Sequence, residues 1–250
     1  MKKKRILITN DDGISAPSLD ILRERLSKLG DVFISAPEFP MNAMGNSITL
    51  HKPVRVREVS EGKYAVSGTP ADSARVGILT ILEDKTDLLV SGINLGPNLG
   101  DDVNYSGTVA GAREAAMLGI PALAVSLAGY EHLDFERAAD ITLRVAEEIM
   151  EKGLPPRTLL NLNIPDTSAP INGIKICKLG IRIYERVVRE RVDPSGKKYY
   201  WIIGEKLDGY ADEGTDFEAI NGGYASLTPL GLNYTDEKLS GELQNWNLNL

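Results

Sequence analysis

Asn10-Asp11-Asp12-Gly13 sets two adjacent carboxylates directly after a short apolar run, Arg5 to Thr9. Like charges this close repel, and a hard cation such as Mg²⁺ or Mn²⁺ offsets the repulsion. The same residues also suit an Asx turn with a helix N-cap, so the motif alone leaves both readings open. A second candidate is the loop Ser91-Gly92-Ile93-Asn94-Leu95-Gly96-Pro97-Asn98-Leu99-Gly100. Its glycines let backbone approach a ligand, while Asn94 and Asn98 offer amide oxygens to a metal or amide N–H groups to a phosphate. The third, Tyr105-Ser106-Gly107-Thr108, opens a segment with Ala110, Ala112 and Ala115. At a helix start, free backbone N–H groups and the dipole attract an anion, and Ser106 and Thr108 add hydroxyls; an ordinary Ser/Thr cap explains the pattern too. Met41 to Ser47, with Asn42 and Asn46, and Ser67 to Asp72 are weaker candidates, the latter explained equally well by helix capping.

Several chemistries drop out. His51 and His132 are the only histidines and Cys177 the only cysteine, which leaves no intrachain disulfide and no cysteine-based zinc site. Between Cys177 and Arg182 there is no phosphate-cradling loop, G-x-x-x-x-G-K-[ST] occurs nowhere, and no GxGxxG follows the first apolar run. The net charge is -7 with scattered basic residues, which argues against a nucleic-acid polymer as partner. A small anionic substrate would then need a local positive site, such as a bound metal. The apolar stretch before Asn10 is too short for a signal peptide or a membrane span, so a cytoplasmic location without membrane contact is expected.

The elements that must position these residues follow from periodicity. Arg5 to Thr9 is a strand; Leu19, Leu22, Leu26 and Leu29 lie at helical spacing, with Pro17 suited to the first turn and Gly30 to the stop. Asp31 to Ala36 makes a second strand, and Val54 to Val59 and Lys63 to Val66 flank a Glu61-Gly62 turn as a hairpin. A helix starts near Pro70. Then come a strand at Asp87 to Ile93, a helix from Thr108 to Leu118, a strand at Ala122 to Leu127, a helix from Phe135 to Lys152 and a strand at Thr158 to Ile164. Apolar strands alternating with helices predict a parallel, doubly wound α/β sheet, with ligands beyond the carboxyl ends of the strands. The first two motifs fall at such ends, and the third opens a helix. From Gly173 the chain turns to extended segments, with a long hairpin at Val187 to Val192 and Lys198 to Ile203 and a short closing helix around Leu239, Leu243 and Trp246. This divides the chain into a catalytic core at 1–172 and a region at 173–250 completing the same domain.

Taken in order, ILITNDDGISAPS, SAPEFPMNAMGNSITL, VSGTPADS, VSGINLGPNLGDDVNYSGTVAGAREAAMLGIPALAVS and GYASLTPL resemble the SurE (stationary-phase survival protein) family of 5'/3'-nucleotidases over nearly the whole chain. The resemblance implies a Rossmann-like core and a metal-dependent acid phosphatase acting on nucleoside 5'- and 3'-monophosphates, and in some members on short polyphosphate. It implies one divalent ion per subunit, Mg²⁺, Mn²⁺ or Co²⁺, on Asp11, Asp12, Asn94 and a fourth ligand that is normally serine and here is Asn42. That departure keeps a hard oxygen but lengthens the side chain. Ser106, Gly107 and Thr108 match the phosphate-binding turn; Asn98 lies close by as a catalytic candidate, and Asn10 and Asn46 are expected at the substrate. Contacts through the C-terminal extended region imply a homodimer or homotetramer.

A cation on two carboxylates and two amides would leave room for water and a phosphoryl oxygen, with Asp11 or Asp12 helping to deprotonate the water. The main non-enzymatic alternative is a Mg²⁺-binding receiver-like signalling domain, which would need a phospho-accepting aspartate where Asn94 stands. A haloacid-dehalogenase-type phosphatase would need Asp-x-Asp, whereas these carboxylates are adjacent.

Overall fold

In the computed structural model, which describes residues 3–183, 188–202 and 208–248, every side chain of the first strand after Arg5 is buried. A strand of this kind requires neighbours on both edges and helices over both faces. In chain order the elements are β1 (Arg5–Thr9), α1 (Pro17–Leu26), β2 (Asp31–Pro37), β3 (Val56–Ser60), β4 (Lys63–Val66) and α2 (Pro70–Val76). After a π-turn at Gly77–Ile81 come β5 (Leu88–Leu95), a 3₁₀ turn (Gly100–Asn104), α3 (Gly107–Met117), β6 (Ala122–Ala128), α4 (Phe135–Lys152) and β7 (Thr158–Pro165). The remainder comprises β8 (Ile174–Ile176), β9 (Ile181–Ile183), β10 (Val188–Val192), β11 (Lys198–Ile202), β12 (Asp208–Tyr210), α5 (Asp216–Asn221), β13 (Ala225–Gly231) and α6 (Glu237–Leu243).

The central sheet has nine strands in the order β3-β4-β2-β1-β5-β6-β7-β13-β8. It is mainly parallel, with β3 antiparallel at one edge and β13 antiparallel beside β7. On one face α1 and α4 contribute Leu19, Leu22, Leu26, Ala138, Val145 and Ile149 to a core with Ile6, Ile8 and Val90. On the other, α2 and α3 bring Ala74, Val109, Ala112 and Ala116 onto Leu7, Leu89 and Leu159. This is the doubly wound arrangement expected, and each fully buried Leu or Ile contributes about 1.5–3 kcal/mol of transfer free energy. The small residues of α3 let it lie close: a methyl on Gly111 would stand 2.7 Å from Thr9 Cγ2 and 2.8 Å from Ser91 Oγ.

Differences from the expected elements have local causes. Strand β3 begins at Val56 rather than Val54, because the Arg55 N–H bonds the Ser67 hydroxyl and the edge strand is solvent-facing throughout. The Thr69 hydroxyl and Asp72 carboxylate form a reciprocal capping box, so the Ser67 to Asp72 segment starts α2. Strands β8 and β13 extend the main sheet beyond β7, and α5, a six-residue helix capped by Thr215, lies among extended segments where periodicity gave no helical signal. The predicted hairpin pairs as β10 and β11 around Asp193 to Lys197, while Val187 and Ile203 lie outside the described residues. Among the described residues, no helix is long and apolar enough to cross a membrane.

Candidate active site

Where β1 ends, the buried Asn10 side chain braces the turn. Its Nδ2 donates to Gly13 O and its Oδ1 accepts the Gly13 N–H, at 3.1 and 3.2 Å. Gly13 has φ +92°, and a Cβ there would meet the backbone of Phe39 at 3.1 Å, because the loop after β2 crosses at this point. That loop is tied down by Ile14 N–H to Pro37 O at 2.8 Å, Met41 N–H to Asp11 O at 2.7 Å and Gly45 N–H to Tyr105 O at 2.8 Å. Asn42 is thereby carried to the aspartate pair and α3's start.

At the end of β5, pairing with β6 shifts register between Ser91 and Asn94. Gly92, φ +142°, makes this possible, since a Cβ would lie 2.4 Å from Val125 O. Asn94 Nδ2 donates to Gly96 O at 2.9 Å, which leaves its Oδ1 as an acceptor. The next loop residue, Asn98, is held by strands β6 and β7. Its N–H donates to Asn163 Oδ1 and its Nδ2 to the Ser126 hydroxyl, while Asn161 and Asn163 both donate to its carbonyl.

The third loop leads into α3. Ser106 Oγ accepts the Val109 N–H at 3.0 Å as N-cap, so its hydroxyl proton remains to be given elsewhere. Thr108 Oγ1 donates to Asp11 Oδ1, and backbone N–H groups of Gly107 and Thr108 also favour the Asp11 carboxylate.

These loops enclose a cleft of about 430 Å³ whose lining includes Asp11, Asp12, Asn42, Asn94, Asn98 and Ser106. Gly107 and Thr108 stand behind Asp11 as its supports, and Asn10 is a buried brace. Asn46 is exposed on the loop and does not line the cleft. Tyr105, the first residue of the third motif, lines it too, as do Tyr130 and Asp102, which no motif reading picks out; Tyr130, just after β6, occupies the kind of strand-end position that signals a site. Asn161 and Asn163 carried a signal as well, two amides in an otherwise apolar inner strand. A larger apolar groove of about 520 Å³, lined by Val145, Ile149, Leu160, Ile174 and Leu227 among others, lies beside α4 and contains none of these groups.

The electrostatics single out the aspartates. Burial pushes the Asp11 carboxyl above its ordinary value, against hydrogen bonds from Thr108 and Gly107 that favour its charged form. Asp12 is pushed up to about 6, first by burial and then by the charge of Asp11. Two carboxylates held this close are matched by a hard divalent cation, and every candidate donor here is oxygen. Among the described residues no group of three or more His, Cys, Asp or Glu side chains comes together, so a cation would complete its shell with the amide oxygens of Asn94 and Asn42 and with water. The donor chemistry fits Mg²⁺ or Mn²⁺ rather than a thiophilic metal.

Residues 6–186 match the family model described as Survival protein SurE. The chain is 46% identical over 243 residues to the 5'-nucleotidase SurE of Pelobacter propionicus, spanning 96% of this chain and 98% of that one. Identity to the protein of the same name from Moorella thermoacetica is 47% over 244 residues, 95% of this chain and 94% of the relative. In three dimensions, the crystal structure of the Sure protein from Aquifex aeolicus superposes with a TM-score of 0.86 at 42% identity, covering 96% and 98% of the two chains.

Proposed function

This chain belongs to the SurE family, and we propose that it is a metal-dependent nucleotidase, releasing phosphate from nucleoside 5'-monophosphates and also from 3'-monophosphates. The relatives' name, 5'-nucleotidase SurE, supports the first activity. The observation that carries the reading is the pair Asp11 and Asp12, facing a cleft beside the N-terminus of α3 with raised carboxyl pKa values.

One Mg²⁺, Mn²⁺ or Co²⁺ per subunit, held by Asp11, Asp12, Asn94 and Asn42, would polarise the phosphoryl group and lower the pKa of a bound water. The chain's own groups do the rest. Ser106, its oxygen committed to Val109, donates its hydroxyl proton to a phosphoryl oxygen. The positive end of α3 stabilises the charge that develops on that oxygen. Asn98, fixed by Ser126, Asn161 and Asn163, presents a rigid edge to the ester, and either Asp11 or Asp12 takes the proton of the attacking water. The cleft is open to nucleosides, and the assembly we propose is a homodimer or homotetramer in the cytoplasm.

A panel of phosphate esters with Mg²⁺, Mn²⁺, Co²⁺ and EDTA tests this. Nucleoside 5'- and 3'-monophosphates should be hydrolysed only with metal, and Asp11→Asn and Asp12→Asn should each lose about 10²-fold or more in kcat, the scale of a preorganised electrostatic contact. Undiminished turnover in EDTA, or wild-type turnover in both variants, would refute the proposal.

A further inference from the structure

Among the described residues, every charged side chain lining the cleft is an acid: Asp11, Asp12 and Asp102. That is a poor environment for a phosphomonoester, which carries a charge of about -1.5 to -2 at neutral pH. A cation on the aspartate pair answers two of those carboxylates, and the third is answered by the protein. Arg182, in β9, is 7% exposed, and its Nε lies 3.5 Å from Asp102 Oδ2. Its backbone N–H donates to Asp101 Oδ2 at 3.0 Å. The guanidinium lies 5.9 Å from the Phe217 ring centroid, shielded from solvent, so its charge is screened less than that of a surface arginine. Both charges reach the cleft: the Tyr130 phenol, which lines it, is raised mainly by burial, pulled down by Arg182 and pushed up by Asp102.

The surrounding contacts fix this pair in place. Asp216, fully buried, accepts the Gly100 N–H on one oxygen and the Gly180 N–H on the other, both at 2.8 Å. The 3₁₀ turn that carries Asp102 is thus clamped to the C-terminal segment at Gly100 by Asp216 and at Asp101 and Asp102 by Arg182.

We propose that Arg182 is a positioning residue for the anionic substrate: it holds Asp102 against the cleft wall and offsets its charge, so that the cleft admits a phosphomonoester dianion. The inference rests on the nucleotidase reading above. It differs from a purely structural role in its sign, because loss of a cation near the site weakens anion binding while favouring divalent-cation binding, whereas a collapsed wall weakens both.

The test uses the full chain with Arg182→Gln, Arg182→Lys, Asp102→Asn and the Arg182→Gln/Asp102→Asn double variant. Two quantities are measured: hydrolysis of AMP in Mn²⁺, and Mn²⁺ binding by calorimetry without nucleotide. Arg182→Gln is expected to raise KM about tenfold, the effect of one partly screened charge near the site, with kcat within about threefold and Mn²⁺ bound at least as tightly as in wild type. Asp102→Asn added to that background should restore most of the KM, and Arg182→Lys should retain most of it. Asp102→Asn alone, which keeps Arg182 and guards against a misfolded Arg182→Gln, should lower KM and weaken Mn²⁺. An unchanged KM in Arg182→Gln, a rise that Asp102→Asn fails to recover, or parallel weakening of Mn²⁺ and AMP would overturn the proposal. Wild type that neither binds Mn²⁺ nor hydrolyses AMP would instead overturn the nucleotidase reading, and this inference with it.

Discussion

Gly107 stands directly under Asp11: a Cβ on Gly107 would lie 2.7 Å from Asp11 Cβ and 2.9 Å from its Oδ2. The first turn of α3 can therefore reach the carboxylate with its N–H groups only because this position has no side chain.

It follows that Gly107→Ala displaces Asp11 rather than the helix, whose backbone tolerates alanine well. Misplacement of a reacting group by about 1 Å can cost on the order of 10²-fold. Gly107→Ala should accordingly lose about that factor in kcat/KM while its far-UV circular dichroism and melting temperature stay close to wild type. Wild-type kcat/KM would show that Asp11 has slack and that its support by α3 is dispensable.

A second expectation concerns pH. In the metal-free protein the Asp12 carboxyl is raised from 3.8 to about 6, so between those values the folded state holds a proton that the unfolded chain releases. Asp12 therefore costs folding nothing below about pH 4, destabilises progressively as pH rises from about 4 to about 6, and by a constant amount above that. Asp12→Asn should melt higher than metal-free wild type above pH 6 and converge with it near pH 4. Mn²⁺ should raise the melting temperature of wild type far more than that of the variant, and less so below pH 6 as protons compete. Parallel melting curves for the two proteins from pH 4 to 8 would contradict this.

Legibility from sequence followed the chain's local signals. Asp11, Asp12, Asn94, Asn98 and Ser106 could be placed because each sits just past a buried apolar strand or at a helix start, and strand ends in a doubly wound sheet converge. Gly107 and Thr108 were recognisable by position, but the structure turns their donors to Asp11, a contact between residues some hundred positions apart. Asn10 and Asn46 share their motifs' polarity, yet one is consumed by its own turn and the other faces solvent. Arg182 and Asp216 gave no signal: their roles depend on how the segment after β8 folds back against the 3₁₀ turn, and the short elements there have too few residues for a periodicity. The strand β13 was hidden for a related reason, since Pro229 and the glycine at Gly231 weaken a strand pattern that pairing with β7 supplies.

Asn163 tests whether the amides in β7 matter to the site. Its side chain accepts the Asn98 N–H at 2.8 Å and donates to the Asn98 carbonyl at 3.1 Å, imitating a strand partner. Leucine is similar in size but leaves the buried Asn98 N–H without an acceptor, at about 1–3 kcal/mol. Asn163→Leu should lose that much stability by urea denaturation, and kcat/KM should fall about tenfold as Asn98 shifts. Asn161→Leu removes only one of two donors to the same carbonyl and should cost less. Equal losses in the two variants would mean that the Asn98 N–H finds another partner.

The ribbon of β10 and β11 carries the last expectation, that of assembly. It is a two-stranded sheet of its own, with Val188 opposite Ile202 and Val192 opposite Lys198. Such a ribbon is marginal in water unless packed against something. Yet Ile202 is 90% and Trp201 56% exposed, and Tyr199 meets Trp201 edge-on along one face while Val188, Tyr200 and Ile202 share the other. Apolar side chains exposed on both faces of a ribbon suit burial against a partner surface, and the proposed homodimer or homotetramer would supply one. Scattering or sedimentation of the wild type should give at least twice the mass of one chain, 27.2 kDa. Trp201→Glu with Ile202→Glu should shift it to one chain while leaving the central sheet folded. A wild type that stays at the single-chain mass at high micromolar concentration would exclude this interface.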